Sequence, residues 1–246
     1  GAVVAIKLLD KQALARKYGG GAADFEREVA MMRACVHENV LRLIDVFDEP
    51  GRVLLVVEYC DGGDFGDKVK ERGAGIQEHE VADFMRQICS AIAALHARGI
   101  CHRDVKPDNF LVSGASLLKL SDFGLSVYVP PGQLLRQKCG TPAFMAPEVH
   151  TLPQHSPGYG LPVDMWAAGA SMHMLMSSGK LPFSGTDGKL DMQRLMRGAF
   201  DTPSRSPAQS MFSSTAVAPG AALQRFSEAA RAMCGGMLQP DPQRRL

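Results

Sequence analysis

Two stretches of the sequence decide its fold: HRDVKPDN at residues 102–109 and DFG at residues 122–124. The first places Asp104, Lys106 and Asn109 within six residues, after one predicted helix and before a short predicted strand. A buried core rarely holds so many polar groups so close together, because each needs a partner once it leaves water. The pattern therefore indicates a chemical site.

Phosphoryl transfer explains why these residue types stand together. The reaction needs an acceptor for a hydroxyl proton, cations to offset phosphate charge, and oxygen ligands for Mg²⁺. Asp104, Lys106 and Asn109 can supply these three groups in that order. Asp122 follows an apolar strand predicted at residues 117–120, so its carboxylate is expected at a strand end as a second metal ligand.

A further cation and a further acid are predicted near the start of the chain. Residues 4–7 read VAIK, which places the Lys7 ammonium on a predicted strand spanning residues 3–8. Apolar residues at helical spacing predict an amphipathic helix around residues 25–32, and this helix carries Glu28. Lys7 can therefore hold phosphates while Glu28 holds Lys7.

The composition is that of an ordinary globular protein. Its 246 residues are 46% hydrophobic and 22% charged, and the formal charge of +1 offers no field for nucleic acid or anionic lipid. Six cysteines without a C-x-x-C pair favour a reduced, intracellular and cytoplasmic protein. We find no signal peptide or membrane-spanning run, although Gly1 is not an initiator residue, so targeting information could precede it.

The order of elements predicts two lobes. Residues 1–60 read as β, α, β, β, and the last two strands form a hairpin around the turn Glu49-Pro50-Gly51. Residues 61–246 are predicted to be mostly helical. Helices are expected around residues 81–95 (ended by Gly99), 163–178, 189–197 and 223–233, short strands at 110–112 and 117–120, and a flexible insertion at about 201–222.

Taken in order, VAIK at 4–7, HRD at 102–104, DFG at 122–124 and APE at 146–148 resemble the signature of the eukaryotic-type protein kinases. The resemblance extends over residues 1–246. It implies an α+β, bilobal fold with a small β-rich N-lobe, truncated here, and a large helical C-lobe. Each motif alone is commonly a turn or a helix start, but their ordered set is not.

The resemblance also implies roles for individual residues. Asp104 is the expected catalytic base, Lys106 contacts the γ-phosphate, and Lys7 contacts the α- and β-phosphates. Mg²⁺ is the implied cofactor, with ATP as co-substrate. Its expected ligands are Asn109 and Asp122. The implied ATP-binding residues are Ala5, Lys7, Glu28, Val57 (gatekeeper), Glu58 and Cys60 (hinge), Asp64 (ribose), Asn109, Leu111 (floor under adenine) and Asp122.

Finer features indicate a class of substrate and of regulation. Lys106 and the turn Gly140-Thr141-Pro142 resemble the serine/threonine class. The stretch from Phe47 through Gly62-Gly63-Asp64 and the turn Pro107-Asp108-Asn109 most resemble the calcium/calmodulin-dependent and plant-type calcium-dependent group, which implies a calcium-linked regulatory segment outside this chain. Asp64 and Asp108 stand where such kinases hold a basic residue of the substrate. Asp164 is expected to brace the catalytic loop, residues 102–109, and Arg245 is expected to pair with Glu148.

Two departures from the family pattern are evident. The glycine-rich G-x-G-x-x-G hairpin belongs before VAIK, where this chain begins, and the glycines at 19–21 come after that strand. We therefore expect a fragment with β-strand 3–8 as an unprotected edge. Residues 136–139, ahead of Gly140, read RQKC and offer no hydroxyl, so we expect activity without phosphorylation there.

The leading interpretation is an ATP-dependent protein serine/threonine kinase. A kinase-like scaffold with impaired catalysis is the alternative, because the glycine-rich loop is missing, and a small-molecule kinase is a third. The segments Ala146-Pro147-Glu148 and Gly140-Thr141-Pro142 favour a protein substrate over a small molecule. Cys60 lies in the predicted hinge beside the nucleotide, and Cys139 lies in the activation segment at residues 122–148. We interpret both as inert thiols and not as redox switches.

Overall fold

The computed structural model describes residues 3–12, 22–185, 187–200 and 221–246. Three antiparallel strands form the first sheet, in the order β1-β3-β2. They are β1 (Val4–Asp10), β2 (Leu43–Glu49) and β3 (Arg52–Glu58), and helix α1 (Ala22–Ala34) lies between β1 and β2 in the chain. The predicted β, α, β, β order and the hairpin are confirmed, with Glu49 opposite Arg52 across the turn.

Strand β1 is the edge of this sheet. Among the described residues it pairs only with β3, in a register that places Lys7 opposite Leu55. Ile6 and Leu8, which alternate with Lys7 along this strand, are 58% and 56% exposed. The expected open edge is therefore present in the described part of the chain, while the glycines at 19–21 lie outside it.

The larger lobe is mostly helical. Its helices are α2 (Phe65–Arg72), α3 (Glu78–His96), α4 (Pro147–His150), α5 (Pro162–Met176), α6 (Met192–Arg197) and α7 (Glu228–Met237). Its short strands are β4 (Gly63–Asp64), β5 (Ile100–Cys101), β6 (Phe110–Ser113), β7 (Leu117–Leu120) and β8 (Val127–Tyr128). Strands β4, β6 and β7 form one antiparallel sheet, and β5 pairs with β8. The α+β class is thus confirmed.

The core of this lobe is built around α3 and α5. Helix α5 is buried on nearly all sides, as its apolar sequence predicts. Trp166 is fully buried and stacks on Phe183 with 5.3 Å between ring centroids. Met172, Met174 and Met176 pack in the same core. None of the helices in the described ranges is both long and apolar enough to cross a lipid bilayer.

Several predicted boundaries were wrong. The last helix begins at Glu228, five residues after the predicted start, because Ser227 caps it by accepting a hydrogen bond from the Ala230 amide. Asp191 caps α6 in the same way, so that helix starts three residues later than predicted. By contrast, helix α3 ends at His96, one residue past the predicted apolar stripe, and Gly99 in the turn after it is left-handed, as predicted.

The predicted insertion at 201–222 lies outside the described residues except for its last two, which begin a short 3-10 helix at Ala221–Arg225. The prediction of flexibility there stays a prediction.

Candidate active site

Lys7 is held between two acids contributed by separate elements. Its ammonium donates to Glu28 Oε1 on α1 at 2.6 Å and to Asp122 Oδ1 after β7 at 3.3 Å. Burial alone would lower the pKa of Lys7, but the charge and hydrogen bond of Glu28, with Asp122 adding to them, raise it above its ordinary value. Lys7 therefore carries a fixed positive charge at this position.

Asp104, on the loop between β5 and β6, lies in a dense hydrogen-bonded cluster. Its Oδ1 accepts from the Thr141 amide at 2.9 Å and from the Thr141 hydroxyl at 2.7 Å. Its Oδ2 accepts from the Asn109 amide at 3.0 Å and lies 3.0 Å from the Lys106 ammonium. Lys106 also donates to the Thr141 hydroxyl at 2.7 Å. The predicted trio at 104, 106 and 109 is thus brought together.

These contacts keep Asp104 ionised. Burial alone would raise the pKa of Asp104, but the hydrogen bonds from Thr141, Lys106 and Asn109 hold it below its ordinary value. An ionised carboxylate is the form that can accept a proton. The sequence drew attention to Thr141 only as part of the turn Gly140-Thr141-Pro142. No local signal in that turn points to Asp104, which lies 37 residues away in the sequence.

The loop that carries Asp104 is anchored by the buried Asp164 of α5. The Asp164 carboxylate accepts from the backbone amides of His102 at 2.8 Å and Arg103 at 2.9 Å, and it contacts His96 at 2.9 Å. Arg103 adopts a left-handed backbone with φ of 69°, a conformation that a non-glycine residue holds only when its surroundings impose it. The predicted bracing contact of Asp164 is present.

The activation segment, which we define as residues 122–148, is fixed by unusual backbone conformations at Asp122 and Gly140 and by an ion pair at Glu148. Asp122 is left-handed, with φ of 58°. Gly140 has φ of 107°, and a Cβ there would lie 2.5 Å from the Arg103 carbonyl oxygen, so only glycine fits this approach. At the far end, Arg245 donates to Glu148 at 2.7 and 3.1 Å, as predicted.

A cavity of about 780 Å³ lies between the two lobes. Seven of the predicted ATP-binding residues line it: Ala5, Lys7, Glu28, Val57, Asn109, Leu111 and Asp122. Its volume suits a nucleotide-sized ligand. Phe25, Met32, Leu41 and Leu55 also line it and were not predicted. The apolar face of α1 was the available signal for the first two of these.

Five residues with predicted roles do not line this cavity: the predicted nucleotide contacts Glu58, Cys60 and Asp64, and the predicted catalytic residues Asp104 and Lys106. The Glu58 carboxylate is occupied by the Arg42 amide at 2.7 Å and the Lys119 ammonium at 2.9 Å. Because the Glu58 backbone amide also donates to the Arg42 carbonyl at 3.0 Å, the expected hinge hydrogen bonds fall to the other backbone groups of the segment 58–60. Asn109 connects the two sets, because it lines the cavity and donates to Asp104.

The residues at the cavity floor fit a magnesium ion chemically. The Asn109 amide nitrogen donates to both the backbone and the side chain of Asp104, which leaves the amide oxygen for a ligand. The Asp122 carboxylate is 56% exposed beside it in the cavity lining. Oxygen donors of these two types are what Mg²⁺ prefers. No group of three or more His, Cys, Asp or Glu within the described ranges is arranged to hold a metal.

Arg103 has neutral partners in place of an anion. Its guanidinium donates to the Leu125 carbonyl at 2.6 Å, to the Gln137 side-chain oxygen at 3.3 Å and to the Tyr159 hydroxyl at 3.4 Å. Tyr159 in turn donates to the Gln137 carbonyl at 2.6 Å. The segment 136–139, which lacks a hydroxyl, is therefore tied to Arg103 through Gln137.

The two acids predicted to bind a basic substrate already have partners. One Asp64 oxygen caps α2 by accepting from the Asp67 amide at 2.9 Å. Asp108 accepts from the Lys70 ammonium at 2.9 Å, a contact that the sequence did not reveal. The negative charge of Asp108 is therefore partly balanced by the Lys70 ammonium, which the prediction did not include.

All six cysteines are free thiols. Burial, followed by the nearby charge of Glu58, raises the pKa of the Cys60 thiol. Cys139 lies with its sulfur 3.8 Å from the Tyr159 hydroxyl. The protonated state of Cys60 agrees with its interpretation as an inert thiol.

The two-lobed fold, the nucleotide-sized cavity and the cluster around Asp104 agree with the resemblance to protein kinases. The chain belongs to the protein kinase domain family, which matches residues 1–246. It is 35% identical to a maternal embryonic leucine zipper kinase of Xenopus tropicalis, over 100% of this chain and 34% of that protein.

Two further relatives come from other lineages. CBL-interacting serine/threonine-protein kinase 24 of Arabidopsis thaliana is 36% identical over 75% of this chain and 40% of its own length. A probable myosin light chain kinase of Dictyostelium discoideum is 34% identical over 81% of this chain and 56% of its own length. The chain thus spans between 34% and 56% of the length of these three relatives. Its place is among the serine/threonine protein kinases.

Proposed function

We propose that this domain transfers the γ-phosphate of ATP to serine or threonine hydroxyls of protein substrates. The observation that carries the proposal is the position of Asn109, which lines the nucleotide-sized cavity and hydrogen-bonds to Asp104. A proton acceptor is thereby coupled to the place where phosphates are expected. Lys7 and Asp122 line the same cavity.

ATP binding is assigned to the cavity residues. Val57, Leu111 and Ala5 supply apolar contacts for adenine, and the backbone of the segment 58–60 supplies its hydrogen bonds. Lys7, fixed by Glu28, binds the α- and β-phosphates. When bound at Asn109 and Asp122, Mg²⁺ supplies charge neutralisation of the phosphates.

The transfer itself is assigned to the Asp104 cluster. The substrate hydroxyl donates its proton to Asp104 as its oxygen attacks the γ-phosphorus, and ADP leaves with the electron pair of the broken bond. Lys106 offsets charge on the transferred group. Thr141 holds both side chains in one arrangement, since its hydroxyl contacts each at 2.7 Å.

Protein substrates with basic residues before the phosphorylated residue fit the acids Asp64 and Asp108, which lie near the catalytic loop. The likeness to the calcium-dependent group, and a calcium-linked regulatory segment outside these residues, stay predictions. A catalytically impaired scaffold remains the competing function, and the same assay decides between the two.

The test is phosphate transfer from labelled ATP to a serine peptide, with the product site located by mass spectrometry. The full-length protein is compared with its Asp104→Asn variant and with Asp83→Asn, which changes an exposed acid on α3. We expect phosphoserine from the wild type and from Asp83→Asn only. Absence of transfer by the wild type, with ATP still bound, supports the scaffold instead.

A further inference from the structure

Helix α2 packs closely against the turn that follows the catalytic residues. A Cβ on Gly66 would lie 2.9 Å from Asp108 Cγ and from the Asp108 backbone nitrogen. The absence of a side chain at position 66 therefore lets the helix approach the 3-10 turn Pro107–Asn109. This approach determines which side chain of α2 reaches Asp108.

That side chain is Lys70. It lies one helical turn after Gly66, on the same face of α2, because residues four apart are neighbours on a helix. Its ammonium donates to Asp108 Oδ1 at 2.9 Å and to Asp67 Oδ1 at 3.3 Å. The hydrogen bond to Asp108 is the main cause of a raised pKa for Lys70. Lys70 is therefore a cation held on the acid that was expected to attract the substrate.

Asp108 lies beside the Asp104 cluster and lines the nucleotide-sized cavity. It comes four residues after Asp104, and the next residue, Asn109, hydrogen-bonds to the Asp104 side chain. A hydroxyl presented to Asp104 therefore brings the neighbouring residues of its peptide close to Asp108. Lys70 meets any cationic side chain of that peptide with a like charge.

We infer that Lys70 is a specificity-determining residue, which occupies Asp108 and weakens selection for arginine or lysine before the phosphorylated residue. The inference rests on the proposed function and deepens it. Asp64, Asp67 and Asp108 still outnumber Lys70 in charge, so the basic preference is reduced and not reversed.

The ion pair can be displaced. Lys70 and Asp108 are 54% and 39% exposed, and pairs at such exposure are weak in water. A substrate arginine can also bind a carboxylate through two parallel hydrogen bonds, which a lysine cannot. Lys70 thus sets the strength of the selection, and its removal is expected to increase preference for an arginine peptide by about fivefold.

The experiment compares arginine-scanned serine peptides with their alanine counterparts on the full-length protein. Both kcat/KM and Kd are measured for the wild type, Lys70→Gln, Lys70→Arg and Lys68→Gln. Lys68 is a matched control on the same helix, and it makes no contact with Asp108. Thermal unfolding checks that each variant is folded.

We expect Lys70→Gln to raise the arginine-to-alanine ratio of kcat/KM about fivefold and to lower the arginine-to-alanine ratio of Kd by a similar factor. Lys68→Gln should keep the wild-type ratios, Lys70→Arg should not increase the arginine preference because arginine can also occupy Asp108, and the double variant Lys70→Gln/Asp108→Asn should lose the gain. An unchanged ratio in Lys70→Gln, or a gain that survives removal of Asp108, overturns the inference. Failure of all proteins to transfer phosphate contradicts the proposed function, while the Kd ratios still decide the role of Lys70.

Discussion

The hydroxyl of Thr141 donates to Asp104 Oδ1 and accepts from the Lys106 ammonium, each at 2.7 Å. This contact joins the activation segment to the catalytic loop at residues 102–109, and its two residues, Asp104 and Thr141, lie 37 positions apart in the sequence. It places the proton acceptor and the phosphate-directed cation on one shared oxygen.

We expect Thr141→Val to lower kcat about tenfold and to leave KM for ATP nearly unchanged. The activation free energy would then rise by about 1.4 kcal/mol. Valine keeps the shape of the side chain and removes the hydroxyl, so Asp104 and Lys106 lose their common partner. Steady-state kinetics measures the effect. Thr141→Ser should restore the rate, and Thr151→Val, whose hydroxyl contacts only backbone carbonyls, is the control. A rate for Thr141→Val equal to that of the wild type would refute this role.

Glu28→Gln should lower the pKa of Lys7. Glu28 is the strongest of the groups that raise this pKa, and burial acts in the opposite direction. Titration of isotopically labelled lysines by NMR measures the shift, and Glu26→Gln on the exposed side of α1 serves as the control. If the Lys7 pKa does not move in Glu28→Gln, the ion pair does not control its charge.

Removal of the buried Asp164 carboxylate should destabilise the large lobe. Asp164→Asn leaves the His102 and Arg103 amides with fewer acceptors, so we expect a loss of about 3 kcal/mol in the free energy of unfolding. Denaturant unfolding measures the difference, with Asp83→Asn as the surface control.

The same variant has a defined pH dependence. Although burial favours the neutral acid, the hydrogen bond and charge of His96 and the nearby His102 hold the pKa of Asp164 below its ordinary value. The stabilisation is therefore full above the unfolded-state pKa of about 3.9 and is lost as pH falls through the lower folded-state value. The gap between wild type and Asp164→Asn should shrink in acid, and a gap that widens there would contradict this sign.

Activity should not depend on a phosphate in the activation segment. Arg103 already has Leu125, Gln137 and Tyr159 as hydrogen-bond partners. We expect phosphatase treatment, verified by intact mass, to leave kcat unchanged, whereas Gln137→Ala should lower it about threefold by loosening Arg103. A phosphate on Ser126 or Thr141 whose removal abolishes activity would oppose this account.

Much of the architecture was predictable because its signals are local. The helix bearing Glu28 follows from apolar residues at helical spacing, whereas the strand bearing Lys7 and the buried helix around Trp166 follow from continuous apolar runs within their own segments. The boundaries of α6 and α7 were missed because Asp191 and Ser227 act as caps, and a capping role depends on backbone geometry at a single residue.

The contacts that define the site were less accessible. Motif order predicted which residues share the cavity, but the Thr141 contact with Asp104 and the Lys70 contact with Asp108 join segments 37 and 38 residues apart. Helix α2, with the sequence FGDKVKER, buries Phe65 and Val69 on one face, but this face alone does not reveal that Lys70 meets Asp108. Its orientation depends on how closely Gly66 lets the helix approach the loop.

The central claim is that Asp104 accepts the proton of a substrate hydroxyl while ATP occupies the adjoining cavity. A single-turnover measurement of phosphate transfer to a serine peptide by wild type and Asp104→Asn, each saturated with ATP, tests it most directly. The account predicts a rate at least about a hundredfold lower in Asp104→Asn, with unchanged ATP affinity. Equal rates in the two proteins would contradict it.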